Sequence, residues 1–112
     1  MNYVNIGGHK VSVIGFGTHL IGGKAEADYS QDEHYIGLIR KAISLGVNHI
    51  DTAEVYGRGH SEEIIGQAIH RVDRNKIFLA SKVWGDNLSH DNLFKSLNAS
   101  IRKLGVEYID LY

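Results

Sequence analysis

No cysteine occurs among the 112 residues, which excludes a disulfide framework, a thiolate metal site and a thiol nucleophile. An excess of charge of one sign is missing as well. The 12 Lys and Arg stand against 13 Asp and Glu, a formal net charge of -1, the sequence pI is about 6.6, and no cationic run gives the electrostatic footprint of a nucleic-acid or anionic-membrane binder. Neither partner is expected. Long apolar runs are also lacking. Met1 to Ile14 holds no apolar stretch of signal-peptide length, and nowhere does the chain approach the roughly 18 apolar residues of a membrane helix, so a cytoplasmic protein is expected. The seven His include no His-x-x-x-His or Glu-flanked pair; they read as scattered surface imidazoles, and no metal is expected.

What is present is ordinary for one globular domain, with 43% hydrophobic and 22% charged residues, and residues 1–112 are read as a single domain. Gly7-Gly8 separates two strand-like pieces, Tyr3 to Ile6 and Lys10 to Val13, as a hairpin turn would. Ser30-Gln31-Asp32-Glu33 has the spacing of a capping box at a helix start. Ile36, Ile39, Ala42 and Ile43 keep one apolar stripe, and Gly46 follows where a left-handed C-terminal cap is wanted. Ser61-Glu62-Glu63 offers a cap and two acids before a second stripe of Ile64, Ile65, Ala68 and Ile69. Ser89 or Asp91 opens a third helix, with Leu93, Leu97, Ile101 and Leu104 on one face and Gly105 closing it. Between the helices, Val47 to Ile50 and Ile77 to Ala80 are short apolar runs, and a last strand begins near Tyr108.

Strand starts near 47, 77 and 107 recur at the roughly 30-residue spacing of a βαβ unit, and continuous apolar strands fit a parallel sheet covered by helices. Periodicity alone leaves a doubly wound sheet and an eight-fold barrel both open. The turn Gly15-Phe16-Gly17-Thr18-His19-Leu20 lacks the third Gly of a dinucleotide fingerprint, and the polar stretch runs on to about Ser30 before a helix, as in a loop on a barrel's active face.

Asp51 follows one apolar run and Lys82 another, each at the carboxyl end, where β/α folds bind ligands. A lone charge there is costly unless paired, so the two are expected to meet; a purely structural ion pair is the other reading. Tyr56, in the loop after Asp51, brings a phenol to the same mouth. A nearby cation lowers a phenol's pKa from about 10, making it a usable acid near neutrality. Lys82 supplies that cation and Asp51 orients it. Such an acid suits carbonyl reduction, in which the hydride must come from a nicotinamide because no side chain can donate one. No stretch shows a Gly-plus-helix arrangement for that cofactor's phosphates.

The run Gly46-Val47-Asn48-His49-Ile50-Asp51-Thr52-Ala53-Glu54-Val55-Tyr56-Gly57, followed by Gly59, Ser61-Glu62 and Gly66, resembles the aldo-keto reductase signature around the catalytic Asp and Tyr. The likeness is to the Tyr-Gly-x-Gly-x-Ser-Glu branch, which holds many microbial oxidoreductases and the potassium-channel β subunits. Ser81-Lys82-Val83-Trp84 resembles the family's catalytic-lysine strand end, and Gly15-Phe16-Gly17-Thr18 with Gly22-Gly23 its first-strand loop. The resemblance implies an α/β fold, the N-terminal portion of a (β/α)8 TIM barrel: about three and a half βα units and an N-terminal hairpin plugging the bottom. It implies Tyr56 as proton donor, Lys82 and Asp51 tuning it, and Gly17, Thr18 and Asp51 against the nicotinamide ribose. NADPH is the implied cofactor, NADH staying open, and a small aldehyde or ketone the substrate. His19 stands where relatives often carry Trp beside the substrate. It and Trp84 are the substrate-pocket candidates, Trp84 reading otherwise as packing on the strand edge.

In the family a catalytic His follows the fourth strand and most cofactor contacts come later. A barrel of this kind needs about 250 residues, so the chain is expected to be a truncated N-terminal half, inactive by itself, with open sheet edges that invite self-association. The rival expectation is a non-catalytic half-barrel or a redox-sensing binding subunit.

Overall fold

A computed structural model describes residues 1–112. The chain starts with strands β1 (Tyr3–Ile6) and β2 (His9–Ser12), paired antiparallel across the Gly7-Gly8 turn. Three further strands, β3 (Gly15–Gly17), β4 (His49–Asp51) and β5 (Phe78–Ala80), form a parallel sheet in the order β3-β4-β5. Helix α1 (Asp32–Ser44) links β3 to β4, α2 (His60–Ile69) links β4 to β5, and α3 (His90–Leu104) follows β5. This is the repeated βα pattern that the apolar runs imply.

The hairpin lies under the amino ends of the sheet. Asn48, the residue before β4, accepts from the Ser12 amide at 2.7 Å and donates to the Lys10 carbonyl at 2.8 Å, while the Tyr3 hydroxyl donates to the Gly46 carbonyl. Gly46 (φ 93°) and Gly105 (φ 63°) end α1 and α3 in the left-handed conformation that glycine adopts without a Cβ clash.

The core sits between sheet and helices. Ile50 and Leu79 point from the sheet into a cluster with Ile36 and Ile39 of α1, Ile64, Ile65, Ala68 and Ile69 of α2, and Leu104 of α3. Burying each large aliphatic side chain contributes roughly 1.5–3 kcal/mol, so this layer holds the strands in place. Helix α2 packs between the other two, and Gly66 lets it approach α3: a Cβ there would lie 2.7 Å from the Leu104 carbonyl oxygen.

Four local expectations fail. The capping box does not form; Gln31 occupies the N-cap position of α1 without a side-chain bond, and the Ser30 amide donates instead to Asp28 Oδ1 at 2.9 Å. Ser61 does not cap α2, whose N-cap is Gly59, two residues earlier; its hydroxyl serves tertiary contacts. The last strand is represented by one parallel bridge, Ala80 to Leu111, and the Asp110 carboxylate accepts from the Leu79 amide at 2.8 Å. The His residues are not all superficial: His60 is 4% exposed.

Candidate active site

Gly17, Asp51 and Ala80 share one register level at the carboxyl ends of β3, β4 and β5. The hydrogen bonding continues past them: the Thr52 amide donates to the Ala80 carbonyl and the Glu54 amide to that of Lys82. Asp51 and Lys82 therefore rise from adjacent backbones onto one rim. Lys82 Nζ donates to both Asp51 carboxylate oxygens and to the Thr52 carbonyl, each at 2.8 Å. Asp51 and Lys82 keep 39% and 49% of their side-chain surface exposed, and a pair so open to water contributes only about 0–1 kcal/mol to stability. Its consequence is orientation: three acceptors fix where the ammonium stands.

Tyr56 reaches the same place from a 3-10 turn over Tyr56–Gly59. The Lys82 ammonium lies 5.3 Å from the centre of its ring. Gly57 beyond it has φ 56° and no room for a side chain, since a Cβ would come within 2.2 Å of the Gly22 carbonyl oxygen. The His19 ring stands 5.1 Å from the Tyr56 ring. Both line an open cleft of about 780 Å³ whose walls include Leu20, Lys24, Arg58 and Trp84. The structure thus brings Asp51, Tyr56 and Lys82 together, with His19 and Trp84 on the cleft beside them.

Gly17 and Thr18 are placed differently from each other. Gly17 is exposed, with nothing within 4 Å of where a Cβ would stand, which leaves open space next to Asp51. Thr18 is 0% exposed; its amide and its hydroxyl both donate to the Asp51 carbonyl at 3.0 Å.

Three groups at the site escape a reading of spacing. Glu54 accepts from the Trp84 amide at 2.6 Å and from Asn87 at 3.0 Å, fastening the loop after β5 to the loop after β4. Burial works to raise its pKa, but the bonds from Asn87, the Trp84 amide and Ser96 outweigh that and hold it below the usual range. Glu62 is 0% exposed, and burial pushes its carboxyl above the ordinary range against the opposing bond from Ser81. His60 lies between Asp32 and Glu63, which its ring nitrogens meet at 2.8 and 2.6 Å. Glu54 was signalled only by its place within the resemblance, Glu62 by that and as an acid at a helix start, and the pairing of His60 with Asp32 on α1 had no signal.

A parallel βα sheet with an amine, a carboxylate and a phenol converging at its carboxyl rim defines a β/α protein whose ligand face lies there. A model of the Aldo/keto reductase family matches residues 13–112, and the chain belongs to that family. It is 37% identical over 99 residues to the methylglyoxal reductase YeaE of Escherichia coli, covering 88% of this chain and 33% of that protein. The thermostable aldo-keto reductase Tm1743, solved with the inhibitor epalrestat, superposes with a TM-score of 0.96 at 45% identity over 100% of this chain and 42% of its own. An aldo-keto reductase of Klebsiella pneumoniae, solved with NADP and acetate, gives a TM-score of 0.84 at 33% identity over 92% of this chain and 35% of its own. The chain spans about a third of the length of the curated relatives it matches. The sheet and helices are accordingly part of the family's (β/α)8 barrel.

Proposed function

We propose that residues 1–112 form part of one barrel domain that reduces an aldehyde or ketone to an alcohol with NADPH, Tyr56 supplying the proton. The observation that carries this reading is the Lys82 ammonium, held by three acceptors at 2.8 Å and facing the Tyr56 ring at 5.3 Å beside an open cleft. When bound, a nicotinamide would supply the hydride that carbonyl reduction requires. Tyr56 donates its hydroxyl proton to the carbonyl oxygen, and the positive charge of Lys82 stabilises the phenolate left behind. Asp51 keeps Lys82 pointed at the ring. The open space at Gly17 beside half-buried Asp51 fits a flat ring with its ribose, and Thr18 serves it by holding the Asp51 backbone. His19 and Trp84, on the cleft walls, meet the substrate. NADPH as the cofactor is supported by the Klebsiella pneumoniae relative, which was solved with NADP.

In a full-length protein containing these residues, Tyr56→Phe should lower the rate of NADPH consumption on a reactive aldehyde by about 100-fold or more, the ordinary loss for an acid catalyst. NADPH fluorescence should still respond to binding. An unchanged rate removes Tyr56 from the role. The 112 residues alone should consume no NADPH, because the family resemblance puts a catalytic His and most cofactor contacts after the fourth strand; clear turnover would overturn that expectation.

A further inference from the structure

Each parallel strand is followed at once by a residue with a hydroxyl: Thr18 after β3, Thr52 after β4 and Ser81 after β5. Because Gly17, Asp51 and Ala80 stand at one register level, these three residues make the next level toward the rim. All three are buried, and so are Ser61 and Glu62 in the first turn of α2. Ser61 Oγ donates to Thr18 Oγ1 at 2.9 Å and lies 3.2 Å from Thr52 Oγ1. Ser81 Oγ donates to Glu62 Oε1 at 2.7 Å.

The directions are mutually consistent. Thr52 gives its proton to Ser61, Ser61 to Thr18, and Thr18 to the Asp51 carbonyl, so three hydroxyls make three bonds in a buried chain whose members strengthen one another. The chain ends on the residue that carries the carboxylate. Glu62, one residue on, grips the residue before Lys82. One dipeptide therefore touches the ends of all three strands.

We propose that Ser61 and Glu62 are positioning residues for the Asp51–Lys82 pair, fixing the spacing of the β4 and β5 ends from the helix side so that the ammonium keeps its three acceptors. The proposal rests on the reading that this pair serves Tyr56, but its geometry is independent of any reaction. Glu62 is 0% exposed, and burial raises its carboxyl above the ordinary range against the bond from Ser81 and the charge of Lys103.

The test uses the 112-residue chain without cofactor or substrate, so its result is separate from whether Tyr56 protonates a carbonyl. The readout is hydrogen exchange of the Lys82 ammonium, followed by nitrogen-15 NMR at low temperature and mildly acidic pH. In the parent chain the three acceptors should slow that exchange. Glu62→Ala and Ser81→Ala should each speed it by about tenfold, the scale of one lost hydrogen bond, while the amide signals of α1 and α3 stay in place. Glu62→Gln should restore slow exchange, since a neutral carboxamide oxygen still accepts from Ser81. Should Glu62→Ala fail to fold, Ser81→Ala, which removes a single oxygen, carries the test. Unchanged exchange in a folded Ser81→Ala or Glu62→Ala chain would overturn the proposal, as would Glu62→Gln behaving like Glu62→Ala.

Discussion

Replacing His60 by Ala should weaken the chain in a manner that depends on pH. His60 is 4% exposed, its Nδ1 is 2.6 Å from Glu63 Oε2 and its Nε2 2.8 Å from Asp32 Oδ1, and the Tyr29 ring packs on it at 4.0 Å between centroids. Both nitrogens carry protons only in the imidazolium, so that is the form able to donate to both carboxylates. Burial alone would lower its pKa; the bonds and charges of Glu63 and Asp32 outweigh burial and raise it. Asp28, held low chiefly by its bonds from Ser30, adds negative charge on the same side. A folded-state pKa above the unfolded value of about 6.5 stabilises fully below that value, and the contribution is lost as pH rises through the folded-state pKa. Each bond to a charged partner is worth about 1.5–3 kcal/mol. Glu63 and Asp32 retain 44% and 22% side-chain exposure, so solvent screening brings the joint loss to about 2–4 kcal/mol. In a domain of this size that corresponds to a fall in Tm on the order of 10 °C. Urea and thermal unfolding of the parent chain and His60→Ala, run from about pH 5 to about pH 9, should show the widest gap at the acidic end and a narrowing one above it. A gap that stays constant, or grows with pH, would refute the imidazolium and the reasoning with it.

Gly66→Ala should destabilise the chain by about 1–3 kcal/mol despite alanine's better helix propensity, because the new methyl would stand 2.7 Å from the Leu104 carbonyl oxygen, a backbone atom that cannot step aside; an unaltered Tm would show that α2 and α3 can separate freely. Trp84 is the single tryptophan, so its emission reports on the loop after β5. Glu54→Ala removes the acceptor of both the Trp84 amide and Asn87 and should lower the fluorescence anisotropy of Trp84, whereas an unchanged value would mean that the loop holds itself.

The hairpin, the three helices and the two strand ends that carry Asp51 and Lys82 were legible because each depends on local chemistry. Only glycine takes the left-handed backbone at 46 and 105 without strain, and apolar runs of strand length ending in a charge point to a rim. What could not be read was decided by competing partners from elsewhere in the chain. Ser30 has the right spacing for a capping box, yet Asp28 captures its amide. Ser61 looks like a cap, yet Thr18 and Thr52 offer its hydroxyl buried partners. Asp110, paired with Arg74, accepts from the Leu79 amide, a bond that no local spacing announces. The hydroxyl level of Thr18, Thr52 and Ser81 was present in the sequence all along, but it becomes a pattern only when the register shows that the three positions are neighbours.

That pattern gives a physical reason for the spacing Tyr-Gly-x-Gly-x-Ser-Glu. An ion pair left half open to water is too weak to hold two strand ends, and a phenol on a loop needs its loop fixed. The segment from Tyr56 to Glu62 meets both needs within one turn of chain. Gly57 presses its backbone on Gly22 and so joins the loop after β4 to the loop after β3. His60 fastens the start of α1. Ser61 ties β3 to β4, and Glu62 ties in β5. Shifting His60, Ser61 or Glu62 by one position would rotate it about 100° around the start of α2 and carry it away from its partner. The spacing is therefore set by the need to register one helix against three strand ends, and the orientation of Lys82 toward Tyr56 follows from it.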